Sequence, residues 1–246
     1  MGATAKPLGA THLAELSAPN VAHSLRLLAE SGLLKVTDSV PFWSCRPHQY
    51  VAHYKDVAHL IKNGDFSHFS GRLPWSLAIR CGTHSVVSHG GMLGTHDGHV
   101  WNTDTVEGIG CRERAFKDLV YADHGQSWRH GFWVWSPSSP VFDGIYDGEA
   151  AYEKATSYVG AEYGRLAILF VAASLMPIAR EVQFLRSARN IETDWPTNRL
   201  PYCSALQSIA ATAGGVDPVP SLAWQLTTPA STYQTLLCPI HVKLVP

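Results

Sequence analysis

The residues best suited to chemistry lie between positions 81 and 104, where histidines and aspartates alternate with glycines. Neutral imidazole nitrogens and carboxylate oxygens are good ligands for zinc or another first-row transition metal. The glycines would let the backbone bend around such an ion. The predicted metal ligands are His84, His89, His96, His99 and Asp104.

This metal-ligand pattern has an ordinary alternative. No His-Glu-x-x-His motif and no zinc-finger spacing accompany it. The chain holds 13 histidines, so a local group can also arise by chance and make common loop hydrogen bonds. A small metal-dependent enzyme of the hydrolase type is therefore one functional hypothesis, with zinc or another divalent transition metal as its cofactor.

A cysteine nucleophile is a further possibility for the same region, because a histidine can activate a neighbouring thiol. Cys81 and Cys111 are the cysteines that lie on either side of these histidines in sequence. No nucleophile-elbow motif and no glycine-rich nucleotide-binding motif is present. We therefore assign no catalytic and no cofactor-binding residue from the sequence, and a role without catalysis is favoured.

The composition limits the function classes. The chain has 246 residues and a net charge of −1, so it has no general attraction for nucleic acid or acidic membranes. Charged residues make up only 16%, against about 25% in ordinary soluble domains. The five cysteines include no Cys-x-x-Cys pair, which indicates reduced thiols. With no signal-like or transmembrane-length segment, a cytoplasmic or virion protein is predicted.

The hydrophobic pattern predicts a mixed α+β fold, with one loop-rich domain packed around a long buried helix over residues 148–189 that is kinked at Pro177. Short, mostly antiparallel strands are expected beside it. The chain divides into four segments that together form one domain: 1–69, 70–147, 148–199 and 200–246. Further helices are predicted near 20–31, 54–63, 112–121 and 204–213, and strands near 85–88, 99–101, 132–135 and 233–245.

The C-terminal segment, residues 200–246, carries two formal charges, Asp217 and Lys243, and six prolines. Its many aliphatic and aromatic residues predict an ordered structure. Because the cores of protein interfaces are depleted in charge, this segment is predicted to contact other subunits. The interface residues expected are Trp224, Tyr233, Leu236, Leu237 and Ile240.

The leading functional hypothesis from the sequence is therefore a structural, self-associating subunit of a large assembly, of the viral-capsid type or a non-catalytic subunit of a complex. Its partners would be copies of itself or other subunits. A third hypothesis is a nucleic-acid-associated module that uses Arg180, Arg186 and Arg189. Residues 20–36 resemble the recognition-helix region of winged-helix domains, which is consistent with that hypothesis. No membrane partner is predicted.

Overall fold

The computed structural model describes residues 35–36, 50–83, 85–106, 108–123, 131–163, 201–220, 224 and 227–246. No helix within these ranges is long and apolar enough to cross a membrane. The predicted helix at 20–31 lies outside them, as do Pro177 and the three arginines at 180, 186 and 189.

Within the described residues, eight strands form one sheet in the order β1-β2-β8-β7-β3-β4-β5-β6. Only the β2–β8 pair is parallel among the described strands. The predicted α+β class with mostly antiparallel strands is therefore confirmed. The strands are β1 (Lys35–Val36), β2 (Tyr50–His53), β3 (Phe66–Ser70), β4 (His89–His96), β5 (His99–Val106), β6 (Gly110–Ala115), β7 (Phe132–Ser136) and β8 (Val242–Val245).

Six α-helices and two 3₁₀ turns accompany the described part of the sheet. The helices are α1 (Tyr54–Val57), α2 (Pro74–Thr83), α3 (Phe116–Asp123), α4 (Gly148–Thr156), α5 (Cys203–Ala213) and α6 (Pro229–Tyr233), and the 3₁₀ turns are Ala58–Leu60 and Pro140–Phe142. The predictions of a strand at 132–135 and a helix at 204–213 are confirmed.

The β4–β5 hairpin follows from its turn residues. Asp97 and Gly98 both have positive φ, 52° and 72°, and connect His96 directly to its cross-strand partner His99. Two-residue hairpins favour Asp-Gly because such turns place both central residues in the left-handed region. This turn fixes the register of the whole β4–β5 ladder.

The sheet buries an apolar core on each face. Trp133 and Trp135 belong to one core, whereas Val134 between them belongs to a cluster on the other side, as alternation along a strand requires. Helix α5 contributes Leu206 and Ala210 to a core that contains Met92 of β4. The sheet thus holds α5 firmly against β4.

The predicted long helix begins at Gly148, where the Asp147 side chain caps it, but it ends at Thr156. The backbone then turns toward the edge strand β6. Gly160 N–H donates to Cys111 O (2.9 Å), and Cys111 N–H donates to Ala161 O (2.7 Å). Hydrogen bonds to a strand edge replace the continuation of the helix, which the local apolar pattern did not predict.

Three further predicted elements differ from the structure. The helix expected at 112–121 begins only at Phe116, because residues 110–115 pair with β5 as a strand. Residues 85–88 precede β4 and form no strand. In the tail, a capping box at Thr228 and Ser231 starts a helix, and the strand is confined to Val242–Val245.

The low charge of residues 200–246 has an explanation within the chain. Tyr233, Leu237 and Ile240 are buried in its own core, Trp224 is partly buried, and Leu236 is exposed. Interior residues carry few charges for the same reason as interface residues do, because both lose their contact with water. A contact between this tail and another subunit stays a prediction.

Candidate active site

The β4–β5–β6 meander places three polar side chains in one row. Asp104 of β5 lies directly opposite Gly91 of β4 and Arg112 of β6. His89 precedes Gly91 by two residues, so its side chain points to the same face as that of Asp104. Cross-strand neighbours on one face approach closely enough to hydrogen bond.

Asp104 accepts from both of these neighbours. His89 Nε2 lies 2.9 Å from Asp104 Oδ2, and Arg112 Nε donates to Oδ1 over 3.0 Å. Burial alone would raise the pKa of Asp104, but the hydrogen bonds and charges of His89 and Arg112 lower it below its ordinary value. Asp104 is therefore a buried carboxylate held ionised by two partners.

The fourth member of the cluster is Cys203, the first residue of α5. Its thiol hydrogen bonds with the His89 ring and with the backbone N–H groups of Gly90 and Ser204. Because Nε2 of His89 faces Asp104, Nδ1 is the ring nitrogen left for the thiol. Cys203 and His89 meet where α5 and β4 both begin.

Each member of the Cys203–His89 pair changes the pKa of the other. Burial would raise the pKa of Cys203, but the charge and hydrogen bond of His89, with the two backbone N–H groups, lower it below its ordinary value. Burial would lower the pKa of His89, yet Cys203 and Asp104 raise it to about 10. The favoured form is a thiolate beside an imidazolium.

Gln207, one helical turn after Cys203, anchors α5 to the sheet. Its Nε2 donates to Ser67 O (3.1 Å) and to Gly91 O (3.0 Å), and its Oε1 accepts from Thr232 Oγ1 (2.7 Å). A Cβ at Gly90 would collide with the Gln207 amide, so only glycine lets the helix approach β4 this closely. This contact fixes the position of the thiol.

Aromatic side chains surround the N-terminus of α5. Tyr163 and Trp224 pack against Tyr202 and Cys203, and Cys203 itself is 5% exposed. The Tyr202 hydroxyl and the Ser204 hydroxyl both donate to Thr227 O, over 2.7 and 3.0 Å. The thiol therefore lies in a largely apolar environment, in which its charge interaction with His89 is poorly screened.

The structure places the predicted metal ligands that it describes at two separate ends of the β4–β5 hairpin. His89 and Asp104 are in contact, but His96 and His99 lie at the other end of the hairpin, roughly 23 Å along the strand. His96 stacks on Trp101 there. His84 lies outside the described residues, and within them no group of three His, Cys, Asp or Glu side chains could hold a metal ion. Metal binding stays a prediction.

Neither cysteine considered from the sequence is placed like Cys203. Cys81 is exposed on α2, and Cys111 is buried, with its pKa raised to about 12 by burial and then by Asp104 and Glu113. The sequence reasoning missed Cys203. One signal was available, because a cysteine directly before a predicted helix lies at a position that lowers the pKa of a thiol.

Comparisons with known proteins add little. No protein-family model matches the chain, and no curated protein matches it. Among solved structures, the chain is similar to the metalloprotein yiiX from Escherichia coli O157:H7, with 18% identity, a TM-score of 0.42, and coverage of 74% of this chain and 88% of that one. The functional assignment therefore depends on the geometry of the site alone.

Proposed function

We propose that the protein is a cysteine-dependent acyl-transfer enzyme, a hydrolase or an acyltransferase, with Cys203 as its nucleophile. The observation that carries the proposal is the hydrogen-bonded series Cys203–His89–Asp104 at the start of a helix. A nucleophile, a base and a group that orients the base are the parts that covalent acyl transfer needs.

In the first half of the reaction, the Cys203 thiolate attacks the carbonyl carbon of the substrate. The carbonyl π electrons move to oxygen and form a tetrahedral oxyanion. When the oxyanion collapses, the bond to the leaving group breaks, and the leaving group takes the proton from the His89 imidazolium. The products are a thioester on Cys203 and a neutral His89, which Asp104 keeps in its orientation.

The developing oxyanion would lie near the N-terminus of α5. The first backbone N–H groups of a helix have no acceptor within the helix, and the helix dipole is positive at this end. Cys203 is the first residue of α5, so these donors lie beside the reacting sulfur. Hydrogen-bond donors directed at the charge that develops in the transition state make the largest single contribution to the rate enhancement of many acyl-transfer enzymes.

In the second half, a water molecule, an alcohol or an amine attacks the thioester. His89 accepts the proton of this acceptor, the new carbon–oxygen or carbon–nitrogen bond forms, and the carbon–sulfur bond breaks. Cys203 returns to the thiolate and His89 to the imidazolium. Water as the acceptor gives hydrolysis, and an alcohol or amine gives transfer.

Mass spectrometry of the protein treated with p-nitrophenyl acetate tests this proposal. The starting protein for this experiment carries the substitutions Cys81→Ser and Cys45→Ser. They remove two other thiols, of which that of Cys81 is exposed. We expect one acetyl group on Cys203, with release of p-nitrophenol, and no label after Cys203→Ala. Labelling that persists in Cys203→Ala at the wild-type rate, or no labelling of the starting protein by this ester or by iodoacetamide, would contradict it.

A role as an assembly subunit stays a separate prediction. Its main sequence argument was the low charge of the tail, which burial within the chain explains equally well. Light scattering of the purified protein tests it directly. Particles of many subunits would support it, and a monomer at all concentrations would rule it out.

A further inference from the structure

Three basic side chains form a cluster, called here the cationic cluster, which consists of Arg72, Arg80 and Lys243. Arg80 Nη1 donates to Gly71 O over 3.1 Å, and Lys243 Nζ lies 4.6 Å from the centre of the Phe132 ring. Burial lowers the pKa of both Arg80 and Lys243, and the charge of Arg72 lowers both further, although Cys81 partly offsets the shift at Arg80. Arg72 therefore lies close to each of the other two charges.

The cationic cluster has no carboxylate partner in the described part of the chain. Arg80 Nε is buried, and no acceptor within the described residues reaches it. Like charges held together without a partner repel one another, and a buried donor without an acceptor costs free energy. A bound oxyanion would remove both costs.

The cluster lies beyond the end of β3, at the end of the sheet where β4 begins with His89. Phe69 is the cross-strand partner of His89, and Gly71, which Arg80 contacts, follows two residues later. Strand spacings then place the Arg80 guanidinium on the order of 10 Å from His89.

The cluster also shares a face of the sheet with α6. Lys243 lies opposite Val134, and Val134 packs with Tyr233 of α6. Helices α5 and α6 are themselves in contact. The cluster and α5, which carries the thiol, therefore lie on the same side of the sheet.

We infer that the cationic cluster binds a carboxylate or phosphate group of the substrate while the acyl carbonyl of the same molecule reaches Cys203. Leu77, one turn before Arg80 on α2, and Leu73, which directly precedes the helix, are 45% and 46% exposed and provide an apolar contact beside the charges. The substrate class is thus an acyl compound with an anionic group and an apolar part between the two ends. This inference rests on the proposed function.

A series of alkylating reagents of graded length tests it. N-iodoacetyl ω-amino acids of increasing chain length are compared with their uncharged primary amides, and the alkylation rate of Cys203 is measured in the Cys81→Ser, Cys45→Ser protein. We expect the acid-to-amide rate ratio to rise with length to a maximum. In the variant Arg72→Gln/Arg80→Gln/Lys243→Gln, that maximum should fall by roughly tenfold. Iodoacetate and iodoacetamide, which are too short to reach the cluster, report the charge of His89 alone.

The variant Lys55→Gln/Arg114→Gln/Lys117→Gln is the charge-matched control, because it removes three exposed cations elsewhere. It should leave the length dependence unchanged. If the triple variant unfolds, as judged by circular dichroism, Arg72→Gln alone replaces it, since Arg72 is exposed. A ratio that does not depend on length, or that the cluster variants leave unchanged, would overturn the inference.

Calorimetric titration with inorganic phosphate at low ionic strength separates this inference from the proposed function. Binding that the cluster variant abolishes supports the anion site even if Cys203 proves unreactive, in which case only the acyl-transfer proposal fails. Absence of phosphate binding together with a flat length dependence overturns the anion site and leaves the acyl-transfer proposal intact.

Discussion

The two ends of the β4–β5 hairpin carry the same residue types in different surroundings. At the turn, the His96 and Asp97 side chains are 41% and 89% exposed and lie 3.3 Å apart. At the open end, the His89 and Asp104 side chains are 20% and 2% exposed and lie 2.9 Å apart. The second pair also meets α5, whose first residue, Cys203, hydrogen bonds with the His89 ring.

This difference shows what turns a common ion pair into a candidate catalytic pair. Exposed ion pairs contribute about 0–1 kcal/mol, because water screens both charges. At the open end of the hairpin, burial by itself would lower the pKa of His89, but the poorly screened interactions with Cys203 and Asp104 raise it to about 10. The pair at the turn therefore serves as an internal control for the buried pair.

The largest expected difference follows from replacing each histidine. We expect His89→Asn to slow the alkylation of Cys203 by iodoacetamide about 100-fold near pH 6, and His96→Asn to leave it unchanged. His89 lowers the pKa of Cys203 against the effect of burial, so its loss leaves a raised pKa and less thiolate at this pH. The pH–rate profile of His89→Asn should shift to higher pH. Equal effects of the two variants would remove the distinction between the two ends.

A second difference concerns α5, the helix whose first residue meets the open end. Gln207→Leu leaves Gly91 O and Ser67 O without their buried donor. We expect it to lower the free energy of unfolding by about 2 kcal/mol, which is roughly 30-fold in the folding equilibrium. Gln234→Leu, at an exposed position of the same tail, should change it by less than about 0.5 kcal/mol. Urea unfolding measures both, and matching midpoints would show that Gln207 does not anchor α5.

Replacing the aspartates gives a smaller effect. Asp104→Asn removes a charge that raises the pKa of His89, so the imidazolium should lose its proton at lower pH than in the wild type. We expect the alkylation of Cys203 near pH 7 to slow about tenfold, and Asp97→Asn to have no effect. An NMR titration of the His89 ring checks the cause, since its midpoint should fall only in Asp104→Asn. An unchanged midpoint would show that Asp104 does not control this histidine.

The smallest expected effect belongs to Arg112. It is about a quarter exposed and acts on His89 only through Asp104, which it contacts at Oδ1. We expect Arg112→Gln to slow the alkylation of Cys203 by roughly threefold and Arg112→Lys to recover part of the loss. Arg114→Gln, on the same strand but exposed, is the matched control. A loss as large as that of Asp104→Asn would mean that Arg112 contributes more than orientation.

Part of the candidate site was accessible from the sequence. The spacing of histidines and aspartates drew attention to His89 and Asp104, although as ligands of a metal. The sequence did not separate them from His96 and His99, because all four residues lie on one hairpin and have the same chemical character. Cys203 was not predicted because it lies far from His89 in sequence. Only the fold brings the two side chains into contact, and no local pattern predicts that contact.

Features that depend on a few neighbouring residues follow from the sequence alone. These are the Asp97-Gly98 turn, the alternation of Trp133 and Trp135, and the helix that follows Cys203. Tertiary structure decided where α4 ends, that residues 110–115 form a strand, and which histidine becomes buried beside a thiol. The physical reason is that turn dihedrals and side-chain alternation act over a few residues, whereas burial and strand-edge hydrogen bonds depend on segments brought together only by the fold.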